Sequence, residues 1–174
     1  MAYMFFNKYK IPEVVIKNGK KYIYDKVRKK DILFTPEEKV RQQVLTYLID
    51  ELKVPEYMID EETAMSYYKV VSSKRPDILI LKKDEKTGEA VPMAVIECKR
   101  NNTLIDGVII EQTLHYAEQL GCNYAMITDG DYVDVAYCEL DNKMLVSIKS
   151  LPNYEDMLNG IYEEILWYKR GTLW

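Results

Sequence analysis

Cysteine and histidine are scarce in this chain, with three Cys and one His among 174 residues. Cys98, Cys122 and Cys138 are far apart and odd in number, so they lack the paired spacing of a zinc site, and His115 alone adds little as a ligand. Reduced, mostly buried thiols are expected. No apolar run approaches the roughly 20 residues that span a bilayer. The opening Met1-Ala2-Tyr3-Met4-Phe5-Phe6-Asn7-Lys8 lacks the basic segment and long apolar stretch of a secretory signal. A cytoplasmic protein with no membrane partner is therefore expected. No repeat, low-complexity linker or Gly-x-x-x-x-Gly-Lys-Ser/Thr motif occurs, which excludes an ATP site of that kind. Positive charge is not in excess either, with 24 Lys and Arg against 28 Asp and Glu. That balance argues against a surface that is entirely a nucleic-acid platform, and leaves room for one basic face around an acidic metal site.

What is present is an ordinary globular composition, 48% apolar and 30% charged. The length suits one domain with a proper core and is too short for two. The 15 tyrosines suit both strands and wet interfaces and decide nothing alone. Val14-Val15-Ile16, the Asn18-Gly19 turn and Tyr22-Ile23-Tyr24 read as a hairpin, followed by a basic stretch over 26–30. Thr35-Pro36-Glu37-Glu38 announces a helix, with Thr35 as N-cap, Pro36 at the first helical position and Glu38 completing a capping box. Val40, Val44, Leu48 and Leu52 then keep the helical period to about residue 53. Two strands follow at 77–81 and 93–99, apolar almost throughout, as strands covered on both faces are. A second helix is expected over 104–120, three short strands at 124–128, 132–138 and 144–148, and a last helix after Pro152 carrying Met157, Ile161, Ile165 and Leu166. The layout is one domain over 1–174: a hairpin extension at 1–34, a core at 35–150 and a C-terminal helix at 151–174. This order of elements is an α/β or α+β architecture.

The chemistry concentrates at Glu97-Cys98-Lys99. Residues two apart on a strand share a face, so Glu97 and Lys99 stand together while Cys98 points away. A carboxylate and an ammonium at the end of a buried strand cost free energy unless paired or functional. Asp77 opens the neighbouring strand. Folding the hairpin symmetrically about Thr87-Gly88 pairs Asp77 with Cys98, so a loop asymmetry or a bulge is needed to bring Asp77 onto the face of Glu97. Two convergent carboxylates suit Mg²⁺, which takes one or two of them and keeps waters for a substrate phosphate. Lys99 could hold or deprotonate such a water, or offset charge building on phosphorus. Spacing alone leaves a salt bridge at a strand end as the simpler account.

On the second helix Ile105, Val108, Ile109, Gln112, Tyr116 and Leu120 fall on one stripe, which puts the Gln112 amide in the middle of a buried face. It either serves a site or satisfies a buried backbone group. On the first helix Glu37 shares the stripe of Val40, Val44 and Leu48, whereas Glu38 lies off it. Glu37 is then a second-metal or water ligand, or a partner to Arg41.

Four runs occur in order: Thr35-Pro36-Glu37-Glu38-Lys39-Val40-Arg41-Gln42-Gln43-Val44-Leu45, Arg75-Pro76-Asp77-Ile78-Leu79-Ile80, Val95-Ile96-Glu97-Cys98-Lys99-Arg100 and Glu111-Gln112-Thr113-Leu114-His115-Tyr116. Together they resemble the N-terminal nuclease domain of type I restriction enzyme R subunits, from about residue 13 to 150. The resemblance implies a PD-(D/E)XK restriction-endonuclease-like fold, a mixed central sheet flanked by helices. It implies Asp77, Glu97 and the Cys98 backbone carbonyl as ligands of Mg²⁺, with Mn²⁺ as a substitute, and Lys99 as the catalytic lysine. Gln112 and Tyr116 match its Gln-x-x-x-Tyr element, which supports the site and meets the substrate backbone. The first-helix glutamate maps to Glu37 or Glu38, and the stripe favours Glu37. Those subunits are far larger and carry helicase motifs, so a stand-alone relative or an excised domain is expected here.

Two functions from different classes follow. One is a metal-dependent endonuclease acting on DNA, with local basic patches such as 26–30 and Lys99-Arg100 meeting the backbone and other restriction-system subunits as partners. The other is a non-catalytic module that keeps the fold and binds DNA or a partner subunit. Elsewhere the expectations are plain: His115 on the solvent side of its helix, Trp167 and Trp174 as packing or oligomer contacts, and Asp129, Asp131 and Asp134 as turn residues rather than a calcium loop.

Overall fold

A computed structural model describes residues 2–4, 6–165 and 171–172 of the chain. In chain order the elements are β1 (Ala2–Tyr3), β2 (Val14–Lys17), β3 (Lys20–Asp25), β4 (Lys30–Leu33), α1 (Pro36–Asp50), β5 (Ile59–Glu61), β6 (Ile78–Lys83) and β7 (Ala90–Cys98). They continue with α2 (Gly107–Leu120), β8 (Tyr124–Thr128), β9 (Tyr132–Glu139), β10 (Met144–Ser147), α3 (Tyr154–Leu158) and β11 (Gly171–Thr172).

The main sheet runs β11-β10-β9-β8-β7-β6-β5, with β1 beside β9, and among the described residues β7 and β8 form its parallel pair. A parallel pair needs a crossover, and α2 supplies it. The apolar runs in β6 and β7 are explained by cover on both faces. Ile78, Ile80, Ala94 and Ile96 pack with Val40, Val44 and Leu48 of α1, whereas Leu79, Leu81 and Val95 pack with Tyr116, Ala117 and Leu120 of α2. Period-two alternation thus sorts one strand into two cores.

Local sequence fixes the helix ends. Thr35 Oγ1 accepts from the Glu38 amide at 3.0 Å, with Pro36 at the first helical position. The Glu38 carboxylate does not complete the capping box; it turns toward Arg28, Arg41 and Gln42. Asp106 caps α2, accepting from Ile109 N at 3.1 Å, so this helix begins later than the apolar stripe predicts. Gly121 ends it at φ +70, a left-handed conformation that favours glycine. The hairpin predicted around Asn18-Gly19 is present, both turn residues having positive φ, as a two-residue turn of this kind requires.

Three expectations are corrected. The basic stretch after the hairpin is a turn feeding a third strand, so β2-β3-β4 form a separate antiparallel sheet. The predicted C-terminal helix over 151–174 is only Tyr154–Leu158, after which Asn159 N and Gly160 N bond back to Asp156 O and Met157 O. Ile165 N instead bonds Ser147 O of the sheet, while Leu166, Trp167 and Trp174 lie outside the described residues. Finally, α1 is not a one-faced helix. Glu38, Arg41, Gln42 and Gln43 are buried much as its apolar stripe is; Glu38 and Gln42 meet Arg28 and Asp25 of the small sheet, and Arg41 meets Asp77 and Glu62. The cysteines are all free and buried, as expected.

Leu48 is completely buried where α1 meets β6 and β7. Leu48→Ala is expected to destabilise the fold by about 3 kcal/mol, read as a lower urea midpoint at unchanged m-value.

Candidate active site

The register of β6 on β7 carries the site. Lys83, Lys82 and Leu81 pair with Ala90, Val91 and Pro92, and then the register shifts, so that Ile80, Leu79 and Ile78 pair with Ala94, Val95 and Ile96. The extra residue is Met93, a β-bulge on β7. Without it, the outer ladder would carry Asp77 opposite Ile96, on the wrong face for Glu97. With it, the inner ladder ends at Ile78 opposite Ile96, and one further step in that register sets Asp77 beside Glu97. Directly opposed Cβ atoms lie about 4.5–5.5 Å apart, so the two carboxylates share a face and a neighbourhood. Two asymmetries combine: the loop is centred earlier than Thr87-Gly88, which alone would set Asp77 opposite Ile96, and the bulge moves it to Glu97.

Asp77 is held from two sides. Its Oδ2 accepts from Cys98 N at 2.7 Å and its Oδ1 from Arg41 Nη2 at 2.5 Å. Lys99 Nζ donates to Glu97 Oε2 at 3.1 Å. Burial pushes Glu97 up to about 7, the Asp77 charge adds to the rise, and Lys99 opposes it. Burial alone would lower Lys99; Glu97, and then Asp77 and Glu37, outweigh it and hold the ammonium above its ordinary range. Lys99 is thus a firm cation.

Of the two first-helix glutamates, Glu37 reaches toward the site. Its side chain is 45% exposed, lies 3.7 Å from Arg41, and feels Asp77 and Lys99 among its nearest charges. Burial first, and then Asp77, raise its carboxyl above the usual range. Glu38, at 4% exposure, is committed to Arg28 at 2.6 Å and Arg41 at 2.8 Å. Glu37 is thus Arg41's partner, one of the two meanings that spacing allowed.

Gln112 is a correction. It is exposed rather than central to a buried face, because the buried stripe of α2 is Thr113, Tyr116, Ala117 and Leu120, turned away from Val108 and Gln112. Gln112 Nε2 donates to the Tyr116 hydroxyl at 2.7 Å, and Tyr116 in turn lies within electrostatic reach of Glu97, Lys99 and Asp77. Arg100 is exposed directly after Lys99. His115 is on the solvent side, 3.9 Å from Glu118. Asp129 accepts from the amides of Asp131 and Tyr132, which is turn chemistry.

Behind the site lies a buried network that the sequence did not reveal. Arg41 also meets Glu62 at 2.8 Å, and Arg28 meets Asp25 at 2.9 Å and Glu61 at 3.5 Å. Asp25, Glu38 and Glu61 bring their oxygens within 4.8 Å of one another. The Arg28 guanidinium supplies a cation there, as Arg41 does beside Asp77. Both Glu61 oxygens lack a donor. Burial, reinforced by Asp25, pushes Glu61 up to about 9, which favours its protonated form at neutral pH. The available signal was the alternation of β3, which puts Asp25 on the inward face with Ile23.

The donor set fits a divalent cation. Asp77 and Glu97 are opposed, and each carboxylate oxygen has two lone pairs, so Asp77 keeps acceptor capacity beyond its two bonds. Glu37, Asp77 and Glu97 face two cations, Lys99 and Arg41. The model for the type I restriction enzyme R protein N terminus (HSDR_N) matches residues 36–152, which includes every one of these site residues. No curated protein and no solved structure matches the chain.

Glu61 gives a signed pH dependence. Its folded-state pKa of about 9 exceeds the ordinary carboxylate value of 4.5, so the folded protein binds the extra proton and stability falls as pH rises through that window. Between pH 7 and 9, above the Glu97 range, the slope is expected to approach but not exceed about 1.4 kcal/mol per pH unit. Glu61→Gln should flatten it in denaturant titrations. Arg41→Ala, which strands Glu38 and Asp77, is expected to cost about 3–5 kcal/mol.

Proposed function

The chain belongs to the type I restriction enzyme R protein N-terminal family, and from that premise we propose that it is a divalent-metal-dependent endonuclease of the PD-(D/E)XK kind acting on DNA. The observation that carries this reading is the gathering of Asp77, Glu97 and Lys99 at one end of β6 and β7, where Asp77 accepts from the Cys98 amide and Lys99 donates to Glu97. Asp77, Glu97 and the Cys98 carbonyl would hold Mg²⁺, or Mn²⁺ in its place. When bound, the metal polarises a phosphoryl oxygen and makes a coordinated water more acidic.

The chain's own residues supply the rest. Lys99, held cationic by Glu97, donates rather than accepts; it orients the attacking water and offsets charge on the phosphate as the bond from water to phosphorus forms and the bond to the departing sugar oxygen breaks. The water's proton passes to solvent, and the departing oxygen takes one from it. Glu37, half-exposed at the mouth, is placed to orient that water from the other side. The Tyr116 hydroxyl accepts from Gln112, which leaves its own proton free for a phosphate oxygen. Gln112 fixes that direction, and Arg100 meets the backbone as a cation. Arg41 holds Asp77 in place while the Cys98 amide restrains its second oxygen. DNA and other restriction-system subunits are the proposed partners. No helix of the described residues is long and apolar enough to cross a membrane.

Cleavage of supercoiled DNA in Mg²⁺ or Mn²⁺ tests the proposal. Lys99→Ala and Glu97→Gln, each checked for folding by circular dichroism, are expected to lower the rate by about 10²-fold or more. Asp77→Ala should abolish cleavage and weaken Mn²⁺ binding measured by calorimetry. Wild-type rates in folded Lys99→Ala and Glu97→Gln proteins would sink the nuclease reading. Absent Mn²⁺ binding by the wild type would favour a non-catalytic module.

A further inference from the structure

The chain's charge is segregated. Residues 14–33 carry seven Lys and Arg against two Asp, a formal +5, whereas the whole chain is −4, so everything else sums to −9. All of this positive charge sits on the small sheet of β2, β3 and β4. Asp25 and Arg28 turn inward, and Lys17 reaches Asp31. Lys20, Lys21, Lys29 and Lys30 are exposed and Lys26 partly so, and none of the five forms an ion pair among the described residues. Like charges gathered on so small an element repel one another, a cost that an anionic partner offsets.

The β3–β4 turn is not a loose loop. Asp25 Oδ1 accepts from Val27 N at 2.9 Å and Arg28 N at 2.7 Å, and Oδ2 accepts from Arg28 Nε at 3.0 Å. Lys29 takes φ +51, which turns the chain back into β4. The turn therefore presents Lys26, Lys29 and Lys30 outward while Arg28 points in. From Arg28 a relay of three contacts leads to the proposed metal carboxylate: Arg28 to Glu38 at 2.6 Å, Glu38 to Arg41 at 2.8 Å and Arg41 to Asp77 at 2.5 Å. The basic turn and Asp77 are thus pinned to one rigid ionic framework around α1.

We infer that the basic turn of the small sheet, Lys26, Lys29 and Lys30, grips the phosphate backbone of duplex DNA beside the cleavage site and fixes where the strand enters it. This inference rests on the nuclease reading for its substrate. A regular line of phosphates matches a cluster of one sign, and the net-negative body leaves this element as the local attractor. Phosphate contacts of this kind position without reading sequence. The rigid turn holds its lysines at a fixed offset from Asp77, so it sets register as well as affinity.

The test is equilibrium binding of a short fluorescein-labelled duplex by the full chain in EDTA, where no cleavage occurs. Changing Lys26, Lys29 and Lys30 together to Glu is expected to weaken binding by about tenfold or more, and changing them to Gln should lower the slope of log affinity against log salt by about 2–3. The control changes Lys82, Lys83 and Lys86 to Glu, the same charge change at the far end of β6 from Asp77, and should move affinity less than about twofold. The Gln series guards against misfolding caused by charge reversal. Equal losses in both Glu triples, unchanged affinity in the turn variants, or no duplex binding by the wild type would each overturn the inference. Selective capture of an acidic protein in place of DNA would do so too. The nuclease reading fails separately, through metal-dependent cleavage that survives Lys99→Ala and Glu97→Gln while DNA binding by the turn persists.

Discussion

Everything around the site depends on one guanidinium. Arg41 is almost wholly buried, and it contacts Glu37, Glu38, Glu62 and Asp77, carboxylates drawn from the first helix, the segment after β5 and the start of β6. Removing any single carboxylate leaves the others to neutralise it, but removing the arginine leaves buried anions uncompensated, which is much the larger penalty. Arginine suits this place because its fork serves several oxygens at once and its proton is not lost; the surrounding carboxylates hold its pKa above even the ordinary value despite burial. The helix, the small sheet and the main sheet are tied together by charge at the point where their apolar contacts end.

That arrangement explains a division of labour. The apolar alternation in β6 and β7 decides which helix covers which face, and it would be satisfied equally well by alanine or valine at positions 77 and 97. The ionic framework decides how the last residues of those strands are held. Glu61 belongs to the framework as a neutral acid: three ionised carboxylates about Arg28 would be too many, and the low dielectric resolves the excess by keeping one proton. At Glu97 the same physics works closer to neutrality, where Asp77 raises and Lys99 lowers.

Much of this was legible before any coordinates. Thr35-Pro36 marked the start of α1, Asn18-Gly19 marked a hairpin, and Glu97 with Lys99 two residues on marked a shared face. The need for an asymmetry between Asp77 and Glu97 followed from counting residues, and the off-centre loop together with the Met93 bulge supplies it. What could not be read were features set by tertiary context. The burial of Glu38 depends on a second sheet whose Arg28 meets it, which no helical period encodes. Gln112 belonged to an apolar stripe by spacing, but the buried stripe of α2 is turned away from it. Residues 55–76 have little periodicity, so β5 and the two acids after Asp60 stayed hidden. In the C-terminal segment, Asn159 and Gly160 stop a helix that apolar spacing alone would have continued.

The bulge at Met93 has a consequence for how the hairpin can vary. It divides the β6–β7 ladder into an outer part next to the loop and an inner part next to the site, each with its own register. The inner pairs are fixed by two hydrophobic cores, one on each face. A residue gained or lost in the loop over 84–89 re-registers only the outer pairs, where side chains are more exposed and slippage costs less. The bulge is thus a mechanical decoupler. It lets the tip of the hairpin change in length and character over evolutionary time while the opposed carboxylates at the other end stay aligned.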